Sequence, residues 1–114
     1  MPLHLSLRAL VFVLFFFQLA PIVYHTETID SLGYSPYVYV EIEGTVSGVS
    51  REDGIDSFRL LDRHGHARVC VLPKGMAVPT MGAHLRVQGT RKYWPQTGVA
   101  EIDPVAAIEP VENQ

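Results

Sequence analysis

The stretch YVYVEIEGTVSGVS, Tyr37 to Ser50, decides the fold. Val38, Val40, Ile42 and Val46 fall on one face; Tyr37, Tyr39, Glu41, Glu43, Thr45 and Ser47 fall on the other. A period of two sustained over this length is the mark of a half-buried β-strand, because successive side chains leave opposite sides of the pleat. Gly44 and Gly48 interrupt the apolar face. Glycine inside a long strand marks a bulge or a bend, so this strand is predicted to coil around a closing sheet.

Downstream the chain reads as four more strands. Arg51 to Asp56 is a turn punctuated by Asp53-Gly54. Ser57 to Leu61 is a strand with Phe58 and Leu60 inward and Arg59 outward, and Asp62 to Gly65 is a hairpin turn. His66 to Leu72 follows, with Val69 and Val71 inward and Arg68 and Cys70 outward. Pro73 to Gly82 is too broken by proline and glycine for a helix. His84 to Arg91 is a strand with Leu85 and Val87 inward, and Lys92 to Gly98 is a loop. The last strand, Val99 to Glu109, bends near Pro104 and turns Ile102 and Ile108 inward. Five strands without a repeat or a helix predict a small all-β antiparallel barrel, whose closure removes exposed edges.

Upstream of this unit, Ala9 to Ala20 reads ALVFVLFFFQLA and runs on to Tyr24. Arg8 precedes it with no acidic residue, the layout of an export signal. Residues 9–24 span about 24 Å as a helix. Adding Leu3, Leu5 and Leu7 reaches the length of a bilayer core of about 30 Å. Gln18 sits where a cleavage site wants a small residue, and Pro21 follows Ala20. Residues 1–24 are therefore read as an uncleaved membrane anchor in preference to a cleaved signal peptide. Either way the domain is expected to be exported and to lie outside the cytoplasm. Residues 25–36 (HTETIDSLGYSP) read as a linker.

The 114-residue chain carries a formal charge of -3, and from Tyr37 onward eight basic residues face ten acidic ones. A basic stripe for phosphate backbones is absent in bulk, which leaves room only for a local patch. Cys70 is the single cysteine, so no intramolecular disulfide forms. No Ser-His-Asp spacing, phosphate loop or carboxylate pair appears, so neither an enzyme nor a cofactor is expected. His64-Gly65-His66 with Asp62 supplies too few ligands for zinc and reads as a hairpin tip, and His84 reads as a surface residue.

Taken together, VEIEGTVSGVS, FRLLDRHGHARVCV, GAHLRVQGT and the terminal VAAIEPV resemble the OB-fold. The likeness is to the small domains of the anticodon-binding and single-strand-binding type, carried by Gly44-Thr45-Val46, the Phe58-to-Gly65 hairpin and Val87-x-Gly89. It covers Tyr37 to Val111 and leaves residues 112–114 as a tail. With its apolar N-terminus the chain also resembles periplasmic OB-fold proteins associated with stress. The membrane-anchored haem chaperone of cytochrome c maturation shares this layout. Its haem-attaching histidine and tyrosine have no counterpart in Ala106 to Gln114, so haem attachment is not carried over.

The resemblance implies a five-stranded Greek-key barrel and a ligand face over the second and third strands. There Arg59 and Arg68 would form a cationic groove with Arg51, closed by Lys92, Tyr93 and Trp94 of the following loop. Aromatic rings stack on bases while cations meet phosphates. Single-stranded nucleic acid or a similar oligomer is the expected partner. An envelope protein partner, met by an exported scaffold, is the alternative.

Overall fold

A computed structural model of the chain describes residues 21–112. Six strands form one mixed sheet: β1 (His25–Thr26), β2 (Tyr39–Glu52), β3 (Ile55–Leu61), β4 (Ala67–Val71), β5 (His84–Trp94) and β6 (Val99–Pro110). The five long strands close in the order β2-β3-β4-β6-β5, and β5 pairs back onto β2. β6 lies between β4 and β5, parallel to the first and antiparallel to the second. This is the all-β OB-like barrel expected, but it is not wholly antiparallel: β6 closes it in parallel with β4, and the two-residue β1 adds in parallel to β2. The helix expected over residues 1–24 falls, as far as residue 20, outside the described residues. Pro21 to Tyr24 carry no regular structure. Among the described residues, no helix is long and apolar enough to cross a membrane.

β2 serves two neighbours. Tyr39 to Thr45 pair with β5, and Thr45 to Glu52 pair with β3. The change of partner is eased by a bulge at Gly48, where the register to β3 shifts between Val46 and Gly48. Gly44 has a different task. A Cβ there would stand 2.7 Å from Ile29 Cδ1 and 2.9 Å from the Leu61 carbonyl oxygen, so glycine lets the chain pass close beneath the strand. The bend near Pro104 is likewise present, since pairing jumps from Gly89–Val105 to Arg91–Ile102.

Val40, Ile42, Val46, Phe58, Leu60, Leu85, Val87 and Ile102 are buried as the alternation requires. Two assignments are corrected. Val38 precedes β2 and is 57% exposed, because the strand's pairing with β5 starts only at Tyr39. In β4 the phase is reversed. Pairing of Phe58 with Cys70 and of Leu60 with Arg68 puts Cys70 and Arg68 on the inner face, and leaves Val69 and Val71 half-buried on the outer one. The β-branched pair misled because valine suits a pleated surface on either side.

The segment 25–36 is no free linker. Ile29 and Leu32 are fully buried in the core, on either side of Asp30 and the start of a 3-10 turn, Ser31–Tyr34. Glu27 stitches this segment: the hydroxyls of Ser31 and Ser35 donate to its carboxylate at 2.6 and 2.8 Å. The barrel end at the starts of β4 and β6 is thus closed by the N-terminal segment, while Met76 and Ala83 of the β4–β5 connection pack on the core.

Candidate nucleic-acid interface

Two inward arginines hold that closing segment. Arg68 donates through Nε to the Ile29 carbonyl at 2.8 Å and through Nη2 to the Asp30 carbonyl at 3.1 Å. Arg91 donates through Nε to the Leu32 carbonyl at 2.6 Å and through Nη2 to that of Gly33 at 3.1 Å. Arg68 is therefore a structural clamp and no part of an outer groove. Tyr93 is removed from the outer face as well. β5 runs through Trp94, so the expected loop from Lys92 is a strand, and Tyr93 pairs with the buried Ala100 on the Arg91 side. Its ring centre lies 5.1 Å from the Arg91 guanidinium carbon. Arg51 is also in a strand, at the far end of β2, 3.6 Å from the cross-strand carboxylate of Asp56.

What remains of the expected groove is Arg59, Lys92 and Trp94. Register places them on the outer face of β3-β4-β6-β5. Arg59 pairs with Val69, and Lys92 pairs with Glu101. Cys70 faces Ile102, so Val69 stands level with Glu101 one residue back on both strands. Arg59 and Lys92 thus lie on one row, separated by three strand spacings, about 14 Å. The next row carries Leu61, paired with Ala67, and Val99, paired with Trp94. Leu61, Trp94 and Val99 are all exposed.

The electrostatics of this face are mixed. Lys92 Nζ sits 4.8 Å from the centre of the Trp94 ring, and 3.6 Å from the Asp103 carboxylate. Trp94 Nε1 donates to Glu101 at 2.9 Å. One side of the indole is covered by the ammonium, and its polar edge is fixed. Glu101 and Asp103 were not among the expected site residues. Their place beside Lys92 follows from the β5–β6 register, which the loop reading of residues 92–98 concealed.

The histidines have structural partners. Asp62 Oδ1 accepts from the backbone N–H groups of His64 and His66, and Oδ2 lies 3.1 Å from His66 Nδ1. Desolvation, the largest single effect, raises the Asp62 carboxyl, but the hydrogen bonds from His66 and His64 together outweigh it and hold the carboxyl below its ordinary range. Among the described residues, no group of three His, Cys, Asp or Glu side chains is placed to hold a metal.

An open hollow of about 880 Å³ lies between the N-terminal segment and β2, lined by Ile29, Gly44, Leu61, Glu43 and His84. On its rim Thr45 Oγ1 is 3.1 Å from His84 Nδ1, and His84 Nε2 is 3.1 Å from Glu43. Register accounts for this hydroxyl–imidazole–carboxylate row. Glu41, Glu43 and Thr45 on β2 directly oppose Gln88, Arg86 and His84 on β5, so each pair meets across the ladder. Cys70 faces the core, and burial together with the Glu101 charge raises its thiol far above the ordinary range. It is no nucleophile at neutral pH.

Neither a family model nor a curated protein sequence matches the chain. Solved structures do. An OBody bound to hen egg-white lysozyme shares 15% identity at a TM-score of 0.63, covering 82% of this chain and all of its own. The E. coli protein ygiW shares 18% at 0.57, covering 76% of this chain and 90% of its own. A replication protein A heterotrimer bound to single-stranded DNA shares 16% at 0.55, over 71% of this chain. The chain spans 63% of the replication protein A chain it matches. Likeness at these identities establishes the fold alone, and that fold is the OB barrel.

Proposed function

We propose that this chain is a non-enzymatic OB-fold binding module that takes single-stranded nucleic acid on the outer face of β3-β4-β6-β5. The observation that carries the reading is the pairing of an exposed indole with an apolar row. Trp94, Val99 and Leu61 offer a surface for bases, while Arg59 and Lys92 stand on the adjacent row, each placed to meet a separate phosphate. A solved neighbour of the same fold is a heterotrimer bound to single-stranded DNA. With two cations on the face, binding should be weak and salt-sensitive. Log K should fall against log salt with a slope of about -1.4, since each phosphate contact on a single strand contributes about -0.7.

Fluorescence anisotropy of labelled DNA and RNA oligomers with the full chain tests this. Micromolar binding with that slope, lost in Trp94→Ala and halved in slope by Arg59→Ala, is the expected result. Absence of binding at low salt overturns it.

A second reading is favoured by Glu101 and Asp103. They put two carboxylates beside Lys92 and Trp94, and the chain as a whole is acidic. Such a balanced face, with Trp and Arg at its edges, suits contact with a protein of the envelope. Residues 1–24, read as an export-type anchor, would present it there. Cross-linking through the outer face in the absence of any oligonucleotide binding would select this reading.

A further inference from the structure

All five tyrosines of the sequence gather at one end of the barrel, around Arg91. Tyr93 lies over its guanidinium. Its backbone N–H donates to the Val38 carbonyl at 2.7 Å, between Tyr37 and Tyr39. Its side chain holds Leu32 and Gly33, and Tyr34 follows at 80% exposure. Tyr24 packs edge-on against Tyr39 with ring centres 6.1 Å apart. Tyr37 stacks on His25 at 3.7 Å.

This end is also apolar between the rings. Ile22, Val23 and Val38 are each more than half exposed, beside Tyr34, Tyr37 and Tyr39. Core packing explains Leu32 and Ile29 but none of these side chains. The nearby cations are engaged, since Arg68 and Arg91 point onto backbone carbonyls and Lys92 pairs with Asp103. The attraction this end offers is apolar and aromatic rather than ionic.

The chain enters the barrel here. Ile22 and Val23 continue directly from the apolar run Ala9 to Ala20. Tyrosine combines an apolar ring with a polar hydroxyl and favours the boundary between hydrocarbon and water. We propose that the tyrosine-rich end seats the barrel on the surface of a lipid bilayer, with Tyr34, Tyr37, Tyr39 and Val38 in the interfacial zone. The proposal rests on residues 1–24 holding the chain at a membrane, and it adds that the domain lies against the lipid instead of hanging free. The outer face of β3-β4-β6-β5 then stands to the side, above the surface.

The test uses the full chain with Trp94→Phe and Tyr37→Trp, so that one indole reports from the seat. It is mixed with phosphatidylcholine vesicles, plain or carrying brominated acyl chains. The expected result is flotation with the vesicles, a blue-shifted emission, and loss of most of that emission in brominated lipid. Adding Tyr34→Ser and Val38→Ser, both at exposed positions, should restore the emission while flotation persists. Flotation with an unshifted, unquenched indole overturns the seat and leaves the anchor reading standing. Failure to float overturns both. A blue shift that brominated lipid does not quench assigns the patch to a second copy of the chain and overturns the seat.

Discussion

Arg68 and Arg91 grip one short turn from two strands: Arg68 takes the carbonyls of Ile29 and Asp30, and Arg91 takes those of Leu32 and Gly33. Between them Leu32 is driven to zero exposure. Two planar guanidinium forks thus fix the segment that closes this end of the barrel.

Removing either fork should be costly. Hydrogen bonds from a charged donor contribute about 1.5–3 kcal/mol, and the freed carbonyls lie partly buried. Arg91→Ala and Arg68→Ala are each expected to lower unfolding free energy by about 2 kcal/mol in urea titrations. Arg91→Lys should recover little of it, because an ammonium cannot span two carbonyls in the fork geometry. Losses within 0.5 kcal/mol, by the same scale, would show the clamp to be incidental.

The closing segment should be indispensable. Leu32→Ala removes a fully buried side chain and is expected to cost about 2–5 kcal/mol. A small barrel has little stability to spare. A chain that starts at Tyr37 should therefore lack cooperative thermal unfolding, while one that starts at Pro21 keeps it. Circular dichroism melts of the two chains decide the matter.

This segment also shows where the sequence was legible and where it was not. The alternation in Tyr37 to Ser50 announced a strand because a paired strand has one wet face and one dry face. Ile29 and Leu32 stand among polar neighbours with no period, and their burial depends on carbonyl partners some forty to sixty residues away. The β-branched Val69 and Val71 beside them make Arg68 and Cys70 read as outward. Only the pairing with Phe58 and Leu60 sets the phase. Adjacency in the sequence groups Lys92, Tyr93 and Trp94, whereas a strand sends Tyr93 away from the other two.

Gly89 should tolerate no side chain. A Cβ there would stand 2.6 Å from the Pro104 carbonyl oxygen and collide with Ile102 as well. Gly89→Ala is expected to destabilise by about 1–3 kcal/mol, the range for overpacked cores. Gly48→Ala meets nothing within 4 Å and serves as the control. Equal midpoints for the two variants in urea would contradict the close approach at Gly89.

Cys70 predicts a pH signature. Its thiol is buried and its pKa is raised, with desolvation the main cause and the Glu101 charge the second. At neutral pH the thiol is protonated in both folded and unfolded chains, so it adds no pH dependence. Above the unfolded thiol's pKa of about 8.5, the unfolded chain loses the proton while the folded chain keeps it. The unfolded state then binds fewer protons, and stability must fall as pH rises, by up to about 1.4 kcal/mol per pH unit. Tyrosines and lysines titrate in the same range, so the difference between the native chain and Cys70→Ala isolates the effect. Urea midpoints from pH 7 to 10 should converge as pH rises, since the variant is spared this loss. Native Cys70 should also react with a thiol reagent only as fast as the barrel opens. Parallel pH profiles, or reaction at the rate of a free thiol, would place the sulfur in contact with solvent.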